Sequence, residues 1–378
     1  MPTFTEKQFS SILNKKKLID SWFWDRYTIN PYNGCLFGCV YCDARSGRYR
    51  MPEDFENDIV VKQQAAEMLD LRLRRARTLL PDVVGLGTVT DSYQGAEKVY
   101  ENGRKILEVL ARHAYPVHIA TKSNLVLRDA PLLDAVGAKS WCSVSVTITT
   151  LQPEIARFLD HRSPSPQRRL DTIAQLKAAT KHVQVGLLLI PLVPFLTDDV
   201  ADLEQMFQAA QAAGADYLIF GGGMTMHDMQ ARWFLTRLQQ EYPELVPKYA
   251  ELYQFTPGGA VYDGQMAPPA AYTQPLYDVL LGLSEKYGLP WRMPRFIPQD
   301  FRRVNYLVAE KLLNEARLRQ MRGEAWETFF WAGQNIQNLG ESLTAVCKRG
   351  ELTKIRNVRG AIKNLVQEYV GLYTDTAN

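Results

Sequence analysis

Tyr27-Thr28-Ile29-Asn30-Pro31-Tyr32-Asn33-Gly34-Cys35-Leu36-Phe37-Gly38-Cys39-Val40-Tyr41-Cys42 holds the features from which the architecture is read. A short strand around Tyr27 to Asn30 runs into a loop with CxxxCxxC spacing, and an aromatic residue stands directly before the last cysteine. Three of the five cysteines fall within these eight residues, which is unlike a secreted disulfide framework and points to metal in a reducing compartment. Gly34 and Gly38 bracket the first half of the loop, where the backbone has to fold tightly and positive φ is expected.

Downstream, from about residue 80 to 225, short apolar runs alternate with helix-period segments, the pattern of β/α units on a parallel sheet. The strands are predicted at Val83 to Gly87, Val117 to Thr121, Ser143 to Ile148, Val183 to Ile190 and Tyr217 to Phe220. Lys105 to Leu110 and Leu170 to Leu176 carry apolar residues at three- and four-residue spacing and read as crossover helices. With the strand before the cysteines this gives about six β/α units, too few for a closed eight-stranded barrel. The expected fold is α/β: a partial (β/α)6 TIM-like barrel over residues 26–228, with a lead segment at 1–25 and a mainly helical C-terminal extension at 229–378. The loops that start near Asn33, Thr88, Lys122, Thr147, Pro191 and Gly221 should then converge at the C-terminal ends of the strands.

Thiolates are the usual ligands of iron–sulfur clusters, and Cys35, Cys39 and Cys42 would reach three corners of one [4Fe–4S] cubane. The fourth iron would stay open to the amino and carboxylate groups of S-adenosylmethionine, whose reductive cleavage yields a 5′-deoxyadenosyl radical that abstracts hydrogen from a substrate. Two other readings stand beside this one. A zinc site would want a fourth protein ligand, and the first histidine is His113; alternatively, the three cysteines are buried for packing alone.

The chain also resembles radical S-adenosylmethionine enzymes of the spore photoproduct lyase-like type, often called DNA repair photolyases. The residues that carry the likeness are Asn30-Pro31-Tyr32 before the cysteines, Gly87-Thr88-Val89-Thr90-Asp91-Ser92-Tyr93-Gln94, Thr121-Lys122-Ser123 with Arg128-Asp129, and Ser143-Val144-Ser145-Val146-Thr147. Ser163-Pro164-Ser165-Pro166 with Arg168-Arg169-Leu170 and Ile190-Pro191-Leu192-Val193-Pro194 complete it, over roughly residues 25 to 220. The resemblance implies a cofactor site along the strand ends that includes Thr90. Asp91 would accept from the methionine ammonium, Lys122 or Arg169 would pair with its carboxylate, Ser123, Ser145 and Thr147 would meet the ribose, and Tyr41 would lie near the adenine. Tyr93 is the candidate hydrogen relay, and Cys142 is a second candidate donor. The sequence departs from spore photoproduct lyase at Asp43, where that enzyme has a tyrosine, and in having no cysteine from 43 to 141, which argues against thymine-dimer reversal.

A formal net charge of +3, from 44 basic and 41 acidic residues, gives no bulk attraction to nucleic acid. The features that favour a nucleic-acid substrate are local: Arg45, Arg48 and Arg50 past the cysteines, Arg162, Arg168 and Arg169 near the cleft, and Arg292, Arg295, Arg302 and Arg303 with Trp291 and Phe296. His161 and His227 lie nearest the rim. A peptide or small-molecule substrate, and a non-catalytic iron–sulfur sensor, are the alternatives. Reduction of a cluster implies an electron donor such as flavodoxin or ferredoxin. No apolar run is long enough for a membrane span and the start lacks a signal-peptide core, so a cytoplasmic protein is expected.

Overall fold

Six short strands run parallel in the order in which the chain makes them. The computed structural model describes residues 1–259 and 261–375. In chain order the strands are β1 (Thr3–Lys7), β2 (Asn14–Lys15), β3 (Tyr27–Ile29), β4 (Tyr32–Asn33), β5 (Asp58–Lys62), β6 (Val84–Leu86), β7 (Val117–Thr121), β8 (Cys142–Thr147), β9 (Val183–Leu189) and β10 (Leu218–Phe220). The larger sheet has the order β10-β9-β8-β7-β6-β3-β2, parallel throughout except for the antiparallel pair of β2 with β3. Taken without β2, it is the six-stranded partial barrel expected from the alternation. The helices Asn102–Arg112, Ala130–Lys139, Pro166–Ala179 and Val200–Ala212 make the crossovers. A second sheet, β1-β5-β4, was not expected; it pairs β1 with β5 in parallel and β4 with β5 in antiparallel fashion beside the cysteine loop.

Parallel strands covered by helices are buried on both faces, and β8 and β10 are buried at every position. One interior layer is polar. Tyr217, just before β10, is fully buried, and its hydroxyl lies 2.7 Å from the hydroxyls of both Ser143 and Ser145 on β8. His118 on β7 adds a 3.1 Å bond from Nε2 to Ser145 Oγ. The ring fits because β9 carries Gly186 beside it: a Cβ there would stand 2.1 Å from Tyr217 Cε2.

The chain divides into two compact units, Met1–Lys15 with Tyr27–Pro294, and Lys16–Arg26 with the chain from Arg295 on. Residues 229–294, helical for the most part, lie in the first unit, where the helices Asp228–Glu241 and Val246–Tyr253 share an apolar core with the cysteine loop. The second unit is built from the helices Arg303–Met321, Glu327–Gln337, Leu343–Lys348 and Gly360–Asp375 around Val308, Leu312, Ile336 and Val366. Two of its arginines face inward: Arg295 is buried beside Trp24 and Tyr306 and donates to Gln337 Oε1 at 2.5 Å, and Arg302 is tied to Asp300, whereas Arg303 is exposed. Among the described residues no helix is long and apolar enough to cross a membrane.

The packing of Tyr217 over Gly186 gives a test of the barrel interior. Gly186→Ala is expected to force the ring aside and to lower stability by about 1–3 kcal/mol, as overpacking does. A melt followed by circular dichroism should show a lower midpoint; an unchanged midpoint would mean that the interior yields more easily than this contact implies.

Candidate active site at the strand ends

The cysteine loop has little regular structure and is held by bonds to its surroundings. Gly34 and Gly38 both have positive φ, +83° and +60°, as their position in the loop predicts. At Gly34 a Cβ would meet the Asp58 carbonyl at 2.8 Å, so the approach of β5 also demands glycine. Cys35 N donates to Phe55 O at 2.9 Å, Val40 N to Leu159 O at 3.0 Å and Cys42 N to Cys39 O at 3.2 Å. From the loop after β6, Gln94 spans Cys35: its Nε2 donates to Gly34 O at 3.1 Å and its Oε1 accepts from Leu36 N at 2.9 Å. Thr90 Oγ1 donates to the same Gly34 carbonyl at 2.6 Å. On the outer side Arg45 donates to Gly38 O at 3.0 Å, to Cys39 O at 3.3 Å and to Glu56 at 2.7 Å.

These bonds leave the three thiols facing one cavity of about 210 Å³ at the C-terminal ends of β6, β7 and β8. Cys35, Cys39, Cys42, Thr90, Asp91, Lys122 and Thr147 all line it, together with Asp43 and the rings of Phe37, Tyr49 and Phe55. Burial pushes the Cys35 thiol up to about 12, with Asp91 adding to the rise, while the backbone N–H groups of Phe37 and Asp91 oppose it. Burial likewise raises the Cys39 and Cys42 thiols. Among the described residues no three His, Cys, Asp or Glu side chains stand close enough to share one metal ion. Thiolates on a cubane each bind a different iron and stand further apart than the ligands of a single ion. Three thiols on one wall of a cavity, with backbone N–H groups aimed at sulfur, are a donor set that fits such a cluster.

Behind the lining, the residues singled out in the sequence are tied together by a shell of buried bonds that begins at Asp91. Asp91 joins two strand ends: its buried carboxylate accepts from Tyr93 N at 2.8 Å, Lys122 N at 2.8 Å and Thr121 Oγ1 at 2.8 Å. Burial raises its pKa, and those donors pull the other way. Ser123 caps the turn after β7 by accepting from Leu125 N at 3.2 Å. Ser145 lies one layer below the cavity, bonded to Tyr217 and His118. Tyr93 is buried and outside the lining, as is Cys142, which opens β8 in register with Val117 and Val183 at the opposite end of the barrel.

Tyr41 and Arg169 meet through a residue that the sequence reading left without a role. Asp160 accepts from Tyr41 OH at 2.8 Å and from Arg169 Nη1 at 2.7 Å, and all three are buried. Arg169 also donates to Thr147 O at 3.1 Å and Pro164 O at 2.7 Å, so its Nε and Nη1 are taken up by the protein. Lys122 Nζ lies 5.4 Å from the centre of the Tyr41 ring. Burial opposes the Lys122 charge, but Cys39, Tyr41 and Asp160 outweigh it and hold the ammonium protonated well above its usual range. For Asp160 burial is outweighed in turn by Lys122 and Arg169, which keep the carboxylate ionised. Asp160 and Gln94 carried no spacing signal; only the fold brings them to the loop. A larger cavity of about 410 Å³ lies between the helix Asp228–Glu241 and the turn near Thr256 to Tyr262, and among the described residues its ionisable lining is Arg232 and Tyr262.

Residues 29–208 match the Radical SAM superfamily profile. An uncharacterized protein of Mycobacterium tuberculosis is 35% identical over 298 residues, covering 76% of this chain and 82% of that protein. An uncharacterized protein of Methanocaldococcus jannaschii is 26% identical over 58% of this chain and 77% of its own length. Among solved structures, spore photoproduct lyase complexed with dinucleoside spore photoproduct superposes with a TM-score of 0.56 at 14% identity, over 75% of this chain and 79% of that one. A mutant of the same lyase with bound AdoMet and dinucleoside spore photoproduct gives a TM-score of 0.52 at 15% identity, over 70% and 74%. At such identity the likeness is one of fold. Proteins of this superfamily use a [4Fe–4S] cluster and S-adenosylmethionine, and this chain, with its partial barrel, belongs to the radical SAM superfamily of enzymes.

Proposed function

We propose that Cys35, Cys39 and Cys42 hold the [4Fe–4S] cluster, that S-adenosylmethionine occupies the adjoining cavity, and that the enzyme abstracts hydrogen from a nucleic-acid substrate. One observation carries the reading: the three thiols share a single cavity at the strand ends with Thr90, Asp91, Lys122 and Thr147. When bound, the two cofactors supply the electron and the 5′-deoxyadenosyl radical. The protein's part is to hold, orient and exclude water. Lys122, kept charged and already close to Cys39, is placed to pair with the cofactor carboxylate. Asp91 spends three acceptor positions on the backbone and on Thr121 and keeps capacity for the cofactor ammonium. Thr147 takes the ribose contact. Arg169 and Tyr41 act through Asp160 as a buried support beneath Lys122 rather than as direct contacts.

Support for nucleic acid comes from the dinucleoside bound in the solved lyase of the same fold and from the rings of Phe37, Tyr49 and Phe55 on the cavity wall, which suit a base. A peptide or small molecule is favoured instead by the inward use of Arg45, Arg169, Arg295 and Arg302, which leaves fewer charges for phosphate. Unbridged thiols beside an iron–sulfur cluster suit a reducing, cytoplasmic setting.

Anaerobic reconstitution with iron and sulfide, then reduction by dithionite, should yield 5′-deoxyadenosine from S-adenosylmethionine. Production should rise when single-stranded oligonucleotide is added; stimulation by peptides alone would move the substrate to the second reading. Changing Cys35, Cys39 and Cys42 together to alanine should abolish both cluster absorbance and cleavage, and cleavage that survived would sink the assignment. Lys122→Met should keep the cluster and weaken S-adenosylmethionine binding by roughly 10–100-fold, the loss of one charge-assisted bond, as read by equilibrium dialysis. Gln94→Ala, which orphans Leu36 N at a cost of about 1–3 kcal/mol, should lower iron per protein, with Gln94→Glu intermediate. Equal iron in all three proteins would show that Gln94 does not hold the loop for the cluster.

A further inference from the structure

Trp233, on the outer face of the helix Asp228–Glu241, is about one-third exposed at 36% and lies 4.4 Å from the Arg45 guanidinium. That guanidinium is itself nearly buried, 4.9 Å from the Phe55 ring, and its nitrogens bond the carbonyls of Gly38 and Cys39. An exposed indole, a delocalised cation and the peptide of Cys39 therefore form one chain of contacts from solvent to the cysteine loop.

Met229, Arg232, Thr236 and Arg237 flank the indole on its helix, and none of them is acidic. Met229, one turn before it, is 57% exposed; Arg232 precedes it, and Arg237 follows one turn later. Arg162 reaches the same place through Glu56, which it shares with Arg45, and exposed Arg48 bonds His227 at the start of the helix. Of the carboxylates here, Glu56 is neutralised by Arg45 and Arg162, while Asp43 is bonded to Tyr49 and His227 and Asp228 to Ser46. What faces solvent is an apolar centre with a rim in which Arg48, Arg162, Arg232 and Arg237 outnumber Asp43 and Asp228.

We propose that this face is the docking surface of an acidic one-electron donor protein, with the electron passing from the donor at Trp233 by way of Arg45 to the Cys39 side of the loop. It rests on the cluster assignment above: the donor is oxidised by one electron and the cluster reduced by one. Transient redox partners meet through small surfaces of this kind, and opposite charge speeds their encounter. A nucleic-acid strand would also accept arginines around an indole. The protein donor is favoured because the contact chain leads to the cysteine loop.

The test compares reduction of the reconstituted holoenzyme by dithionite with reduction by photoreduced flavodoxin and by a reduced plant-type ferredoxin, following the cluster's visible absorbance. The wild-type rate with a protein donor should fall on the order of tenfold from low to high salt. The Arg232→Glu/Arg237→Glu double variant should lose a similar factor at low salt, and Trp233→Ala should also slow the reaction, while dithionite reduction and iron content stay at wild-type values. If the double variant loses iron, Arg232→Glu alone, at an exposed position, decides by the same criterion. Unchanged rates with protein donors, or failure of both donors to reduce the wild type, would overturn the proposal. So would variants that lose only oligonucleotide retention, which would make this a nucleic-acid face. Failure of the cluster assignment reads differently: the wild type would then make no 5′-deoxyadenosine even with dithionite.

Discussion

A loop that carries three thiols in eight residues cannot satisfy its own backbone, and the site depends on the bonds it borrows. Regular structure ends at Asn33, and from there to the short turn at Asp43 the polar backbone groups seek partners elsewhere. Gln94 and Thr90 supply them from the loop after β6, Phe55 from the stretch before β5, Leu159 from the end of a helix, and Arg45 from within the segment. A buried unpaired amide or carbonyl costs on the order of 1–3 kcal/mol, so these partners select one loop conformation. The sheet β1-β5-β4 has the same use: it fixes Tyr32 and Asn33 at one end of the loop, and Tyr32 OH is anchored on buried Glu97 at 2.5 Å.

The electrostatics of the cavity follow from how many charges are buried together. Half-buried Lys122 and buried Arg169 are set against buried Asp160 and Asp91, and each isolated charge would be costly in such a place. Asp160 is shared by Tyr41, Arg169 and the field of Lys122, so the Lys122 ammonium can remain charged with no carboxylate clamped directly on it. That leaves a cation at the cavity wall with donor capacity to spare. Arg169, by contrast, has Nε and Nη1 taken by Pro164, Thr147 and Asp160.

Most of the barrel was legible in the sequence because parallel strands buried on both faces read as short apolar runs, and all six appear within a residue or two of their expected places. The thiols were legible because their spacing is local. Ser145 shows where local reading stops. Ser143, Ser145 and Thr147 alternate onto one face of β8, as period-two geometry requires, but depth separates them. Tyr217, admitted by Gly186, fills the barrel up to Ser145 and leaves only Thr147 at the cavity. Nothing within β8 records that plug, since it comes from a residue some seventy positions later. The roles of Asp160 and Gln94 and the pairing of β1 lie beyond local reading for the same reason: Tyr41, Leu36 and β5 are 119, 58 and 55 residues away from them.

The helices that follow β10 bear directly on this chemistry, because the cysteine loop sits at the rim of an open-sided barrel. Phe234, Leu238, Tyr249 and Tyr253 pack in one apolar cluster with Phe37, Cys35 and Cys39, and Gln230 Nε2 donates to Tyr41 O at 3.2 Å. Cys35 and Cys39 are thereby only 8% and 6% exposed. Water kept from the sulfurs strengthens each N–H and cation that faces them, because the same charges act through a lower dielectric. The barrel therefore places the thiols, and the helices beyond it set the medium in which they work.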